Sequence, residues 1–358
     1  LTPSKLILLP FSFVYGIIIQ IRNLFFDLGI FKSHFFQRPV ILIGNLTTGG
    51  TGKTPHVECL VRILQSEKIP CATLSRGYGR KSHGFQWVQP TDEYLKTGDE
   101  PLQIKQKFPD VPVAVDGNRI RGLTRIWKEQ PTVKAVVMDD GFQHRKVKPS
   151  LSILLMDYEE MNKKNYLLPA GTLREPLSSA SRADIIIITK TPAFFSPLEK
   201  RLLKDRMKCY ASQQVFFTTM QNGELLSVVE LGKPALFNKE YYKERKYQAM
   251  LVTGIANPGP LEEYIKENFL LARHLQFADH HRYTADDIQK IKDAFAQIPC
   301  DNKLIVTTEK DAMRLNVENL RTLYNDLPLF YLGVDVKFHQ QDYELFKEII
   351  VNHVAKFR

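Results

Sequence analysis

Residues 40–55, VILIGNLTTGGTGKTP, constrain the fold of this chain more than any other stretch. A short apolar run at 40–43 reads as a buried strand, a loop of small residues follows, and helix-compatible sequence resumes at Pro55. That order is the layout of a phosphate-binding P-loop. Glycines let backbone N–H groups turn inward around an anion, and the start of the helix adds partial positive charge. In this reading Thr48, Gly49, Gly50, Thr51, Gly52, Lys53 and Thr54 cradle a nucleotide's phosphates. Lys53 reaches the β/γ-phosphates and the Thr54 hydroxyl takes Mg²⁺. The usual pattern has glycine six residues before the lysine, where Thr47 stands, with Gly44 three residues earlier. A plain Gly-rich turn is the alternative, but strand, loop and Gly-Lys-Thr in this order favour the P-loop.

The 358 residues suffice for one large core or two modest ones. A formal net charge of +10 favours anionic partners: nucleic acid, an acidic membrane surface or a phosphorylated substrate. Cys59, Cys71, Cys209 and Cys300 are scattered, which points away from a zinc site or a disulfide framework and towards a reducing compartment. Residues 6–21 are almost wholly apolar, interrupted by Pro10, Ser12, Gly16 and Gln20, and apolar character continues to Phe31. The uncharged part falls short of the roughly 20 residues that cross a bilayer. No small-residue cleavage site follows, which argues against a signal peptide. A membrane-lying helix fits, with Arg22, Lys32 and Arg38 available for lipid phosphates; a buried core helix is the alternative. Leu1 is not methionine, so the natural start is expected further upstream.

After the P-loop, apolar strands alternate with helical stretches. A helix is expected at 56–66, and strands at 71–74, 111–115, 135–138, 153–156 and 185–189. Such Ile/Val-rich runs belong to parallel strands covered on both faces, hence an α/β sheet of P-loop type with helices on both faces. Around Asn222-Gly223, a hairpin signal, residues 215–237 read as a β-ribbon connection. Residues 241–246 read as charged and exposed. A second, smaller α/β series follows, with strands at 249–253 and 305–307, a helix at 259–268 and a closing helix at 342–357. The expected division is 1–36 apolar helix, 37–214 P-loop core, 215–246 ribbon linker, 247–340 smaller domain and 341–358 terminal helix.

Asp139 and Asp140 end an apolar strand, where open α/β sheets bind ligands and a P-loop enzyme holds Mg²⁺. An Asp-Asp-Gly turn is the plainer reading. Asp99, in Gly98-Asp99-Glu100-Pro101, reads either as a helix N-cap or as a functional carboxylate. Ser75-Arg76-Gly77-Tyr78-Gly79-Arg80 suits an anionic, ring-bearing ligand or a solvated basic loop. Arg119 and Arg121 add cations at the same sheet edge. Arg174, in a Pro- and Gly-containing loop, could meet a transferring phosphoryl group or be a surface arginine. Asp279-His280-His281 lacks the spacing of helical zinc ligands; a histidine acting with a carboxylate is the chemical alternative to an ordinary one.

Taken together, Gly44-Asn45-Leu46 leading into the Gly49–Pro55 loop, the Ser75–Gly79 and Gly98–Pro101 segments, Asp139-Asp140-Gly141-Phe142-Gln143-His144-Arg145, Leu173-Arg174-Glu175-Pro176 and Phe277-Ala278-Asp279-His280 resemble the tetraacyldisaccharide 4′-kinase family. The resemblance spans nearly the whole chain, and Thr47 looks like the family's own loop variant. It implies ATP- and Mg²⁺-dependent phosphorylation of the 4′-hydroxyl of a tetraacylated glucosamine disaccharide 1-phosphate in lipid A biosynthesis. It implies a peripheral or monotopic enzyme on the cytoplasmic face of the bacterial inner membrane, whose two domains close over the nucleotide. On matching positions Asp99 would be the base and His280 would orient or tune it. Lys53 and Arg174 would stabilise phosphate charge, and Thr54 and Asp139 would serve Mg²⁺ with Glu175 beside them. Asp140 is left as a further catalytic carboxylate, between metal, sugar and His280. Arg76, Tyr78, Arg119, Gln143 and His144 would bind the head group and its phosphate.

A competing class is a membrane-associated P-loop switch ATPase of the partitioning type. Those proteins carry a lysine just before the paired glycines, where Thr48 stands here, and have no counterpart to the Asp99 and His280 motifs. A nucleic-acid-dependent ATPase would use the positive charge directly, but no nucleic-acid module or stacking series of aromatics is present. No obligate protein partner is implied.

Overall fold

The computed structural model describes residues 3–207, 212–339 and 342–357. Cys209 lies outside them. Twelve strands form one continuous sheet. From one edge they run Gln86–Trp87, Val113–Val115, Cys71–Ser75, Ala135–Asp139, Val40–Asn45, Leu151–Asp157, Ile185–Thr189, Gln214–Ser227, Leu329–Phe338, Lys303–Thr308, Gln248–Thr253 and Leu270–Gln276. Neighbours are parallel except at two places: Gln86–Trp87 on Val113–Val115, and Gln214–Ser227 on Leu329–Phe338. Two-sided burial explains the continuous apolar runs. Ile41 and Ile43 enter one core cluster while Val40 and Leu42 enter another on the opposite face.

The central antiparallel pair determines the geometry of the site. Gln214–Ser227 pairs parallel with Ile185–Thr189 through its first residues, then antiparallel with Leu329–Phe338. Strand direction reverses there, so the second half turns its strand C-terminal ends back towards those of the first. Contacts confirm the facing: Arg314 reaches Asp99, and Lys310 reaches Glu100. The expected hairpin at Asn222-Gly223 is not formed. The dipeptide lies inside the long strand, where the register shifts between Asn222 and Leu225. Neither Asn222 nor Gly223 takes the positive φ that a tight hairpin turn would require, so the strand continues through them with one residue extra. The ribbon's return strand instead arrives a hundred residues later. In residues 241–246, read as charged and exposed, Lys243, Glu244, Arg245 and Lys246 are exposed; the departure is Tyr242, which helix Lys239–Glu244 buries against Phe269. Helix Asp342–Ala355 packs Phe346 on Phe216 and Phe338, closing the chain onto the ribbon.

The N-terminal helix, Pro3–Asp27, is long and apolar enough to cross a membrane by length and composition. It is not a core helix. Ser12, Gly16, Ile19 and Asn23 are buried along one stripe, whereas Ile7, Phe11, Phe13, Ile18 and Ile21 are exposed. Two of the cations expected to meet lipid are engaged by protein. Arg22 binds Glu175, and Arg38 donates to the carbonyls of Pro131 and Val133. Lys32 is exposed.

Candidate active site

The P-loop lies between strand Val40–Asn45 and helix Lys53–Ser66. Gly52 caps that helix with φ of 84°, a left-handed conformation that favours glycine, with the flexible end of Met220 close by. Within the loop, Asn45 Nδ2 donates to Thr51 Oγ1 at 3.0 Å, and Lys53 Nζ donates to Asn45 Oδ1 at 3.3 Å. Thr48 N donates to the Thr172 carbonyl at 2.7 Å, while Gly49 and Gly50 stay exposed with open space where a side chain would stand. Thr54 is buried in the first helical turn. His56 ties this turn to the ribbon strand, its Nδ1 2.7 Å from the Gly52 carbonyl and its Nε2 3.1 Å from Thr218 Oγ1. Burial lowers the His56 pKa to about 4, so the ring is neutral and Nδ1–H is the donor to the carbonyl.

Register pairs Asp139 with Ile43, bringing the acidic strand end beside the P-loop. Asp139 is buried, and its Oδ1 has no hydrogen-bond partner among the described residues. Burial, then the charges of Glu100 and Asp140, raise its carboxyl to about 7 against the pull of Lys53 and Arg119. Asp140 behaves oppositely. Burial pushes its carboxyl up, but Lys53 and Arg174 outweigh this and hold it below the usual carboxylate value. Arg174 Nη1 reaches both Asp140 oxygens at 2.9 and 3.1 Å, and Lys53 Nζ lies 3.5 Å from Oδ1. Asp140 adopts φ of 48°, a conformation non-glycine residues rarely take and one that recurs at functional sites.

The third carboxylate, Asp99, opens helix Asp99–Lys107 but is not its N-cap; Gly98 is. Its Oδ1 accepts from Glu100 N, and its Oδ2 accepts from Arg314 Nε at 3.0 Å and Nη2 at 2.6 Å. Burial raises the Asp99 carboxyl, yet Lys310 and Arg314 together hold it below its ordinary value. His280, also in the left-handed region at φ of 58°, places Nδ1 3.8 Å from Asp99 Oδ2 and 3.1 Å from Arg314 Nη2. A guanidinium only donates, so the Nδ1 facing it is the unprotonated nitrogen. Tyr78 comes to 5.5 Å from the His280 ring, and Gly77 packs against Gly98. The neighbouring His281 is structural: its Nε2 lies 3.0 Å from Asp287, in the capping box of helix Ala285–Ala296.

The remaining expected residues divide. Arg76 and Tyr78 are exposed on the loop beside Asp99 and His280. His144 is half-buried among Arg119, Arg76, Lys146 and Arg22, and burial followed by those cations lowers it to about 4. Arg119 does not fit a head-group contact. It is buried, its guanidinium held by the carbonyls of Asp116 and Asp139. Arg121 is paired with Asp116. Gln143 braces the loop, donating to the Asn45 carbonyl and accepting from Arg174 at 3.4 Å. Glu175 is not placed to hold metal. It is fully buried and receives Arg22, Asn23 and Arg182, while the Arg174 side chain turns the other way, to Asp140 on the P-loop side. Arg314 was not expected. It stands in an ordinary-looking helical stretch, Glu309–Leu315, with no local signal that it would meet a carboxylate 215 residues away.

A family model described as tetraacyldisaccharide-1-P 4′-kinase matches residues 4–354. The tetraacyldisaccharide 4′-kinase of Phocaeicola vulgatus is 42% identical over 351 residues, covering 98% of this chain and 95% of the relative. That of Flavobacterium johnsoniae is 41% identical, with 95% of each chain covered. Among solved structures, LpxK from Aquifex aeolicus in complex with ATP superposes with a TM-score of 0.76 at 27% identity, covering 98% of this chain and 99% of that one.

Proposed function

The chain belongs to the tetraacyldisaccharide-1-P 4′-kinase family, and from that premise we propose how its own residues carry out the transfer. The acceptor is the 4′-hydroxyl of a tetraacylated glucosamine disaccharide 1-phosphate and the donor is ATP. The hydroxyl oxygen bonds to the γ-phosphorus, the bond from that phosphorus to the ADP oxygen breaks, and the hydroxyl proton passes to Asp99. One observation carries the reading: Asp99, buried and kept ionised by Arg314 and Lys310, opens onto His280 and the Tyr78 loop at the facing strand ends. An ionised carboxylate has the vacant site the hydroxyl proton needs, and its position at the acceptor, not high basicity, is what it contributes.

Lys53 and Arg174 rest on Asp140 in the structure and would turn to the β/γ-phosphates, where positive charge supplies most of the catalysis. The residues fit Mg²⁺. Asp139 Oδ1 is buried and unpartnered, and Thr54 lies in the first turn of the adjacent helix. Among the described residues no cluster of three or more His, Cys, Asp or Glu could hold a metal alone, which suits an ion ligated largely by phosphates and water. Bound there, Mg²⁺ would neutralise charge on the phosphate oxygens. Arg76, Tyr78 and His144 are the residues available to the head group and its 1-phosphate. The apolar outer face of helix Pro3–Asp27 would lie on the cytoplasmic side of the inner membrane and present the acyl chains. Residues 37–214 and 247–340 act as two units joined by the ribbon, whose approach keeps Asp99 and His280 together.

Incubation with radiolabelled ATP and the detergent-dispersed disaccharide tests the proposal. Label should appear in the lipid, dependent on Mg²⁺. Label found only as free phosphate would reject it in favour of a switch ATPase.

A further inference from the structure

The N-terminal helix docks on two segments: residues 143–145, where Arg145 donates to the Asn23 carbonyl and pairs with Asp27, and the loop that carries Arg174. Ser12 Oγ donates to the Leu167 carbonyl and accepts from Ala170 N, both at 2.9 Å. Gly16 lies so close to Leu167 that a Cβ would stand 2.8 Å from its side chain. Tyr15 Oη donates to the Arg174 carbonyl at 2.9 Å. Arg22 donates to the Gln143 carbonyl at 3.3 Å and to Glu175 at 3.2 Å, and Asn23 donates to the other Glu175 oxygen at 3.1 Å. On its far side the same loop grips the P-loop. Arg174 N donates to the Leu46 carbonyl and Thr48 N to the Thr172 carbonyl, each at 2.7 Å. Residues 166–175 are therefore clamped between the helix and the nucleotide loop.

We infer that Tyr15 is a positioning residue for the transfer step: its hydroxyl fixes the backbone of Arg174, so a helix that would lie on the membrane also sets the arginine that meets the γ-phosphate. The inference rests on the functional reading above. An anchor would need only the outward apolar face. It would not need a tyrosine aimed at one carbonyl of the Arg174 loop, flanked by Glu175 held between Arg22 and Arg182 with a hydrogen bond from Asn23. Arg174 makes its side-chain contacts with Asp140 and Gln143 from the backbone that Tyr15 and Leu46 hold. A shift of that backbone misplaces the guanidinium and lowers the rate more than it lowers substrate binding.

The test is a double-mutant cycle of Tyr15→Phe and Arg174→Ala, read as kcat and KM for ATP and the disaccharide. Co-sedimentation with mixed phosphatidylethanolamine–phosphatidylglycerol vesicles is measured alongside. Y15F should lower kcat about fivefold, the rate equivalent of one neutral hydrogen bond. Both KM values should stay within about twofold, since uniform binding is untouched. Vesicle binding should be unchanged. In the R174A background Y15F should change kcat by less than about 1.5-fold, because a residue acting through Arg174 has nothing left to position. An equal loss in both backgrounds overturns the inference, as does a Y15F defect confined to vesicle binding or the lipid KM. If R174A alone keeps full kcat, the assignment of Arg174 to the γ-phosphate fails, and this inference fails with it.

Discussion

The P-loop end and the Asp99 end of the site are built in different ways. At the P-loop, Asn45, Thr51, Gly52 and Lys53 organise one another within a contiguous segment, and the partner strand delivers Asp139 and Asp140 alongside. At the other end, Asp99 meets Arg314 and His280 only because the antiparallel ribbon turns the second half of the sheet around. The first centre is assembled by local geometry, the second by the relative placement of two halves. Loss of a P-loop residue should therefore impair nucleotide binding directly. Loss at the Asp99 junction should leave nucleotide binding intact and damage transfer and the union of the halves.

The largest expected effect sharpens that contrast. Asp99→Ala should reduce kcat about 10³-fold, within the range for a general base, while ATP still binds with near-normal affinity in equilibrium dialysis. Near-normal turnover in D99A would move the base to Asp140, on the P-loop side. Arg314→Gln comes next. Removing one partner of a buried ion pair costs about 3–5 kcal/mol, which urea unfolding should register. Asp99 is held below its unfolded value of 3.8, so the pair's contribution is present above that pH and fades as pH falls through the folded value. The gap between wild type and R314Q should therefore close in acid. A constant gap at every pH would mean that Arg314 stabilises by packing rather than by pairing. Arg314→Lys keeps the charge and separates the two roles.

What could be read in advance follows the same divide. Contiguous signals carried through: the Ile- and Val-rich runs became the parallel strands, and Gly52-Lys53-Thr54 opens a helix. Features that depend on which way a side chain turns did not. The resemblance set Glu175 beside the Mg²⁺ residues, yet its carboxylate is buried on Arg22, Asn23 and Arg182, while its neighbour Arg174 turns to Asp140. Ser12 and Gly16 looked like interruptions in an apolar stretch and are instead its docking face. Asn222-Gly223 read as a turn, but the strand runs through it with a shift of register and neither residue takes a positive φ. Arg314 had no local mark because its partner is chosen by topology.

A smaller effect probes cooperation across the junction. His280→Ala should lower kcat by about 10- to 100-fold, less than D99A, since His280 reaches Asp99 at 3.8 Å and is partly exposed. If the two act as a unit, the D99A/H280A double mutant should be little worse than D99A alone. Fully multiplicative losses would show that the histidine works independently, for example through Tyr78 and the bound head group.

The smallest effect returns to the P-loop side and concerns stability. Asp139 is raised from 3.8 to about 7 by burial first and by Glu100 and Asp140 after it. Its folded value lies above its unfolded one, so the folded state holds the proton more tightly, and stability falls as pH climbs from about 4 to about 7. Asp139→Asn stays neutral throughout and should escape this loss. Without nucleotide, D139N should melt about 2–4 °C higher than wild type at pH 8, with the advantage vanishing towards pH 4. Adding ATP with Mg²⁺ should reverse the order, since only the wild type offers an ionised Oδ1 to the cation. A D139N advantage equal at pH 4 and pH 8 would trace to packing. A Mg²⁺-dependent gain as large in D139N as in wild type would place the cation elsewhere, and the unpartnered oxygen would then reflect strain in the strand end rather than a metal site.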